Sequence, residues 1–199
     1  GYGVEGAGQF GRFKDTAGSA SLDHQAYAWA LAGGYTFKDT TMTPRLGLEY
    51  DYATGDRDPN DTRHTTFENL FPTNHKFYGF MDFASWQNIH DVKASMSASP
   101  YKALQMTLDY HALLLADSHD SFYTVAGARR GGLTATAGNG YGINPGYGNY
   151  VGSEGDLVAT WTVKKFGALQ AGFGHFFAGD YVKQSLSDAA FGAADANWV

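Results

Sequence analysis

Nine ionisable residues fall at same-parity positions within short stretches of this chain: Arg45, Glu49 and Asp51; Asp91 and Lys93; Asp109 and His111; Asp156 and Lys164. Side chains two residues apart project from the same face of a β-strand, so this spacing lines one face of several strands with charge. Such a face can bias the passage of a solute moving along it. It can equally pair across strands and keep an interior wet. Acids outnumber bases on it by five to four, so no dominant cationic path for a polyanion emerges. Asp109 and His111 also read as two members of a nucleophilic triad, or as a plain hydrogen-bonded pair on a wall.

Other chemistries leave weaker traces. The run Asp56-Arg57-Asp58-Pro59-Asn60-Asp61 sets Asp56, Asp58 and Asn60 at alternate positions, as in a Ca²⁺ loop. Its sixth position is Asp61 rather than Gly and its twelfth is Phe67, so a solvated Asp/Pro/Asn turn explains it as well. Arg63, His75 and Lys76 flank or lie in a long aromatic run and are the cations placed to meet an anionic solute, if that run folds into a pore as a constriction. A run that only packs at a rim is the competing reading. No HExxH or GxSxG occurs, no cofactor motif is present, and the absence of Cys excludes disulfides and thiolate metal sites.

The elements that must position these residues are strands. From 24 to 37, Tyr27, Trp29, Leu31, Tyr35 and Phe37 alternate with Ala26, Ala28, Ala30, Ala32 and Thr36. Leu46, Leu48, Tyr50 and Tyr52 alternate with the first charge set, Val92, Ala94 and Met96 with the second, and Leu104, Met106, Leu108 and Tyr110 with the third. Leu157, Ala159 and Trp161, then Leu169, Ala171 and Phe173, continue the pattern, with Val158 an exception on the polar parity. With the Gly-rich 4–10 segment this predicts seven strands and the start of an eighth at 197–199. Helical periodicity is convincing nowhere.

Connections alternate strictly. Those at 38–43, 99–103 and 164–168 are short; those at 13–23, 54–87, 117–155 and 178–196 are long. An antiparallel meander with this asymmetry has all tight turns at one end and all long loops at the other, the organisation of a transmembrane β-barrel with short periplasmic turns and long extracellular loops. Gly at 26 of 199 residues and aromatics at 16% fit that class. Phe10, Phe37, Tyr101, Phe166 and Phe177 near strand ends fit interfacial girdles. The bulky parity then faces lipid and the small, charged parity a lumen; a soluble β-sandwich is the alternative. A net charge of −6 argues against a nucleic-acid partner. Residues 138–148, rich in Gly with Tyr141 and Tyr147, read as a mobile surface loop.

The run Phe67-Glu68-Asn69-Leu70-Phe71-Pro72-Thr73-Asn74-His75-Lys76-Phe77-Tyr78-Gly79-Phe80-Met81-Asp82, followed by Trp86-Gln87-Asn88-Ile89-His90-Asp91 and preceded by Pro44-Arg45-Leu46-Gly47-Leu48-Glu49-Tyr50-Asp51-Tyr52-Ala53, resembles the alginate-export family of bacterial outer-membrane porins. Asp109-Tyr110-His111 and Gly174-His175-Phe176-Phe177 with Gly179-Asp180 are similar to later strands of that family. The resemblance covers the C-terminal portion of larger barrels, implying one barrel domain over 1–199 that is a segment of a longer polypeptide. It implies a bacterial outer-membrane channel, without cofactor or covalent chemistry, whose partners are outer-membrane lipid, lipopolysaccharide and a polar solute such as an anionic saccharide. A small closed barrel acting through its loops as a structural or adhesive protein, and a barrel-embedded hydrolase at Asp109 and His111, are the alternatives. Oligomeric state is not readable from the residues.

Overall fold

The structure, a computed structural model, describes residues 1–70, 77–192 and 195–199. They form β1 (Tyr2–Phe13), β2 (Leu22–Thr36), β3 (Arg45–Ala53), β4 (Arg63–His64), β5 (Ile89–Tyr101), β6 (Leu104–Leu115), β7 (Tyr150–Thr162), β8 (Ala168–Ala178), α1 (Asp180–Asp188) and β9 (Ala196–Trp198). The path β1-β2-β3-β5-β6-β7-β8-β9 is antiparallel throughout, and the two-residue β4 pairs in parallel with the start of β2. The all-β class and the meander stand. The path is open between β1 and β9 among the described residues. No described helix is long and apolar enough to cross a membrane, which does not bear on crossing by strands.

Register follows side-chain size. Leu31 lies opposite Tyr50, Tyr50 opposite Val92, and Val92 opposite Ala112, so bulky outward residues continue from strand to strand. A one-residue slip would move all of them to the other face, which fixes the pairing. Leu48, Leu108 and Trp161 are 68%, 46% and 48% exposed, so they do not converge in a core. They belong to an apolar band flanked by aromatics. On the long-loop side, Trp29 meets Tyr50 edge-on at 4.8 Å, and the Tyr50 hydroxyl is hydrogen-bonded to His90 Nδ1 at 2.6 Å. On the tight-turn side stand Tyr35, Phe37, Tyr101 and Phe166, all exposed. An exposed apolar band of this extent marks a surface that meets another apolar surface, of protein or of membrane.

The buried apolar residues lie on the opposite, inner face, at its long-loop end. Ala26, Ala28, Ala53, Ile89, Leu113, Leu115, Val151 and Phe176 from the strands cluster with Phe67, Tyr78, Ala84, Phe122, Tyr147, Tyr181 and Val182 from the connections. The small Ala parity of β2 leaves room there for loop side chains. Val158 faces inward and is buried, as the alternation requires. A register shift between Leu113, opposite Gly152, and Leu114, opposite Tyr150, leaves Val151 as the extra residue of β7, and it is completely buried.

Two expectations need correction. The last long connection holds α1, although the sequence offers no convincing helical period. Nine residues are too few to show one or to be stable alone. The helix is fixed from outside, by the Tyr181 hydroxyl donating to Tyr141 O at 2.9 Å and by Gly142 N donating to Ser185 Oγ at 3.1 Å. The same contacts overturn the reading of 138–148 as a mobile loop: Tyr147 is buried in the core and its hydroxyl donates to Asp188.

Candidate functional site

The inner face carries three charged rows. Glu49, Lys93, His111 and Glu154 lie side by side on β3, β5, β6 and β7. Asp51 lies opposite Asp91 on the long-loop side of this row, and Asp109 opposite Asp156 on the tight-turn side. Like charges directly opposite each other are unfavourable, so each acidic pair needs compensation. The middle row supplies part of it. His111 Nδ1 lies 2.7 Å from Asp91 Oδ2, and Lys93 Nζ lies 3.8 Å from Asp109 Oδ2.

The remaining compensation comes from the aromatic run. Its part from 77 to 88 folds onto this face, where two consecutive backbone amides donate to wall carboxylates: Phe80 N to Asp156 Oδ2 at 3.2 Å and Met81 N to Glu154 Oε1 at 2.8 Å. Gly79 makes the approach possible. It has φ +99°, and a Cβ there would stand 2.4 Å from Glu154 Oε1. Asp51, Asp91, His111, Glu154 and Asp156 are consequently buried. One oxygen on each of these four acids, and one on Asp109, has no hydrogen-bond partner among the described residues.

A second cluster fastens the start of the run to the wall. The Gln9 amide on β1 clamps the Glu68 backbone, Nε2 donating to Glu68 O at 2.7 Å and Oε1 accepting from Glu68 N at 2.8 Å. His64 stacks on Phe13 at 3.7 Å and places Nε2 2.9 Å from Glu68 Oε1, with Nδ1 3.7 Å from Asp56 Oδ2. Burial alone would lower the His64 pKa; the adjacent carboxylates of Asp56 and Glu68 outweigh it and push it up to about 9. The reciprocal contact holds Asp56 below the usual carboxylate range despite its burial.

The two longest connections are also fastened to each other. Arg130 Nη2 donates to Phe83 O at 2.6 Å, and its guanidinium lies 5.1 to 5.6 Å from the ring centroids of Phe83, Phe122 and Tyr141. Asp120 accepts from Asp56 N at 2.9 Å and from the Thr66 and Tyr123 hydroxyls; burial outweighs these bonds and raises its pKa.

The residues singled out from sequence are distributed unevenly. Asp51, Asp91, Lys93, Asp109, His111 and Asp156 come together under the run. Glu49 is half-buried in the middle row, and Arg45 is exposed near the tight turns. Lys164 lies beyond β7, exposed in the turn to β8, and so is not on the wall. Arg63 is exposed on β4; His75 and Lys76 fall outside the described residues. His111 is bonded to Asp91 rather than to Asp109, which removes the sequence-adjacent dyad. Asp56 Oδ1 and Asp58 Oδ1 accept the backbone amides of Asp58 and Asn60, each at 3.2 Å, as in successive side-chain-capped turns. No metal-binding group of three or more acidic, His or Cys side chains occurs among the described residues.

Glu154 was missed because glycines at 152 and 155 obscured where β7 begins; its i, i+2 spacing to Asp156 was the available signal. Gln9, Glu68, His64 and Arg130 carried no local signal, since their partners are distant in the chain.

A protein-family model described as alginate export matches residues 1–191, nearly the whole chain. No curated protein matches the sequence.

Proposed function

The chain belongs to the alginate-export family, a transport family, and from that premise we propose that it forms wall and constriction of a bacterial outer-membrane channel. A polar solute passes by diffusion, and the wall performs no covalent chemistry. An anionic saccharide is the solute class that the family suggests. The observation that carries this reading is the opposition of the two sheet faces: an exposed apolar band on one and three charged rows under an infolded loop on the other. Hydrocarbon accepts the first, and a hydrated passage needs the second.

The infolded segment sets the proposed working geometry. It covers the long-loop half of the inner wall and leaves the tight-turn half, with exposed Arg45 and Gln105, open. Narrowing is thereby confined to one level of the wall, where Glu154 and Asp156 anchor Phe80 and Met81. Planar-bilayer recording tests the reading. A steady ohmic conductance, increased when the anchor is removed in Glu154→Ala, is expected. Insertion without conductance would sink the channel and favour a structural role for the loops. Hydrolysis of ester or glycosidic substrates abolished by His111→Ala would restore the enzyme alternative.

A further inference from the structure

The outward apolar band is interrupted by a groove of about 750 Å³ on β2, β3, β5 and β6. Two rows of residues define it. Tyr35, Leu46, Met96 and Leu108 lie side by side nearer the tight turns, and Gly33, Leu48, Ala94 and Tyr110 form the next row. All eight positions face outward, but Gly33 has no side chain and that of Ala94 is too small to fill its place. The groove is the hollow they leave, walled by the protruding leucines, Met96 and Tyr110. The Tyr110 hydroxyl is already bonded to Ser153 Oγ at 2.9 Å, so the groove side of this residue is its ring.

The charge at that end of the sheet is unlike the rest of the molecule. The three tight turns, 37–44, 102–103 and 163–167, carry Lys38, Asp39, Lys102, Lys164 and Lys165 as their ionisable residues, in a chain of net charge −6. All four lysines are exposed. Lys38 stands three residues beyond Tyr35 and Lys102 six beyond Met96, or about 10 and 20 Å along the strands at ~3.4 Å per residue. That is the distance from a lipid headgroup into one leaflet of a hydrocarbon layer about 30 Å thick.

Resting on the membrane reading above, we propose that this groove holds an acyl chain of an anionic glycerophospholipid whose phosphate is met by Lys38 and Lys102. The apolar hollow, its depth and the adjoining positive charge agree on one occupant. A second copy of the chain fits less well, because a stable self-interface needs about 800 Å² of matched surface per partner and this is a furrow between protruding side chains.

Two pairs of substitutions separate the contributions. Gly33→Phe with Ala94→Phe fills the hollow; a Cβ at Gly33 meets nothing within 4 Å and Ala94 points outward, so the fold is retained. Lys38→Gln with Lys102→Gln removes the positive charge and leaves the hollow. The whole chain is first floated with phosphatidylcholine vesicles to show insertion. It is then titrated in detergent with phosphatidylglycerol or phosphatidylcholine of identical chains, and retained lipid is counted by native mass spectrometry. The expected result is preferential retention of one phosphatidylglycerol, weakened roughly fivefold per lysine removed. Filling the hollow is expected to reduce retention of both lipids. Equal retention of the two lipids by the unaltered chain, or unchanged retention after filling, overturns the proposal while flotation leaves the membrane reading intact. A dimer lost on filling overturns it in favour of a second copy. Failure to float would sink the membrane reading and the inference with it.

Discussion

Met81 N donates to Glu154 Oε1 at 2.8 Å, joining residues 73 apart in the chain. With the neighbouring bond from Phe80 N to Asp156, it holds a loop against the charged face of the sheet by backbone donors and strand acceptors. Removing an acceptor from a buried amide leaves the donor unsatisfied, a cost of about 1–3 kcal/mol. Glu154→Ala is therefore expected to raise hydrogen exchange at Phe80 and Met81 at least about fivefold, whereas Glu154→Gln, which keeps an acceptor oxygen, leaves it near the original rate. Gly79→Ala should act like Glu154→Ala, because its Cβ would collide with the same carboxylate. Unchanged exchange in Glu154→Ala would show that the loop is held by its apolar contacts alone.

The two faces differ in what they tolerate. Leu108 lies mid-strand and outward, and Leu108→Arg is expected to cost about 2–4 kcal/mol in lipid; Trp161, one residue before the end of β7, should cost about 0–1 kcal/mol on the same substitution. Thr107→Arg, at nearly the same depth on the inner face, should be tolerated. Urea unfolding in phospholipid vesicles measures all three. An exposed Leu→Arg change in water costs within about 0.5 kcal/mol, so equal tolerance of Leu108→Arg and Thr107→Arg would refute a lipid-facing band.

How far the sequence disclosed this arrangement depends on the range of each interaction. Strand faces are legible because the period of two is local: Leu46, Leu48, Tyr50 and Tyr52 announce their face without reference to anything else, and the alternation alone puts Val158 on the inner face, where it is buried. Loop anchoring was not legible. Gln9 meets Glu68 across 59 residues, and nothing near either residue names the other. Glu154 was obscured by flanking glycines, and α1 is held by Tyr141 and Gly142, about forty residues away. Charges that looked like a water-exposed lining are in part loop anchors, since alternation fixes a side chain's face but not what covers it.

His64 makes the start of the loop sensitive to alkaline pH. Its pKa is raised to about 9 from an ordinary value near 6.5, so the stability contributed by its contacts with Glu68 and Asp56 is fully present below about pH 6.5 and is lost as pH rises through 9. Glu68 is 27% exposed, and with solvent screening the contribution is on the order of 1–2 kcal/mol. Amide protection around Glu68, taken relative to the intrinsic base-catalysed exchange rate at each pH, is expected to fall between pH 7 and 10 in the unaltered protein. His64→Gln should abolish that phase and raise the basal rate. An alkaline phase that survives in His64→Gln would have to come from another group.

Asp91 separates two opposed effects on the inner wall. Its Oδ2 lies 2.7 Å from His111 Nδ1, and it lies opposite the second acidic residue Asp51. Asp91→Ala discards both interactions and leaves a buried imidazole nitrogen unpaired, so it should destabilise by about 1–3 kcal/mol. Asp91→Asn keeps an amide oxygen within reach of His111 while removing the repulsion from Asp51, and cross-strand charge pairs are worth roughly 0.2–1 kcal/mol. The asparagine variant is accordingly expected to be neutral or slightly more stable in urea unfolding. If it instead matches the alanine variant, His111 requires the carboxylate of Asp91 itself, and repulsion between Asp91 and Asp51 does not weigh on the native wall.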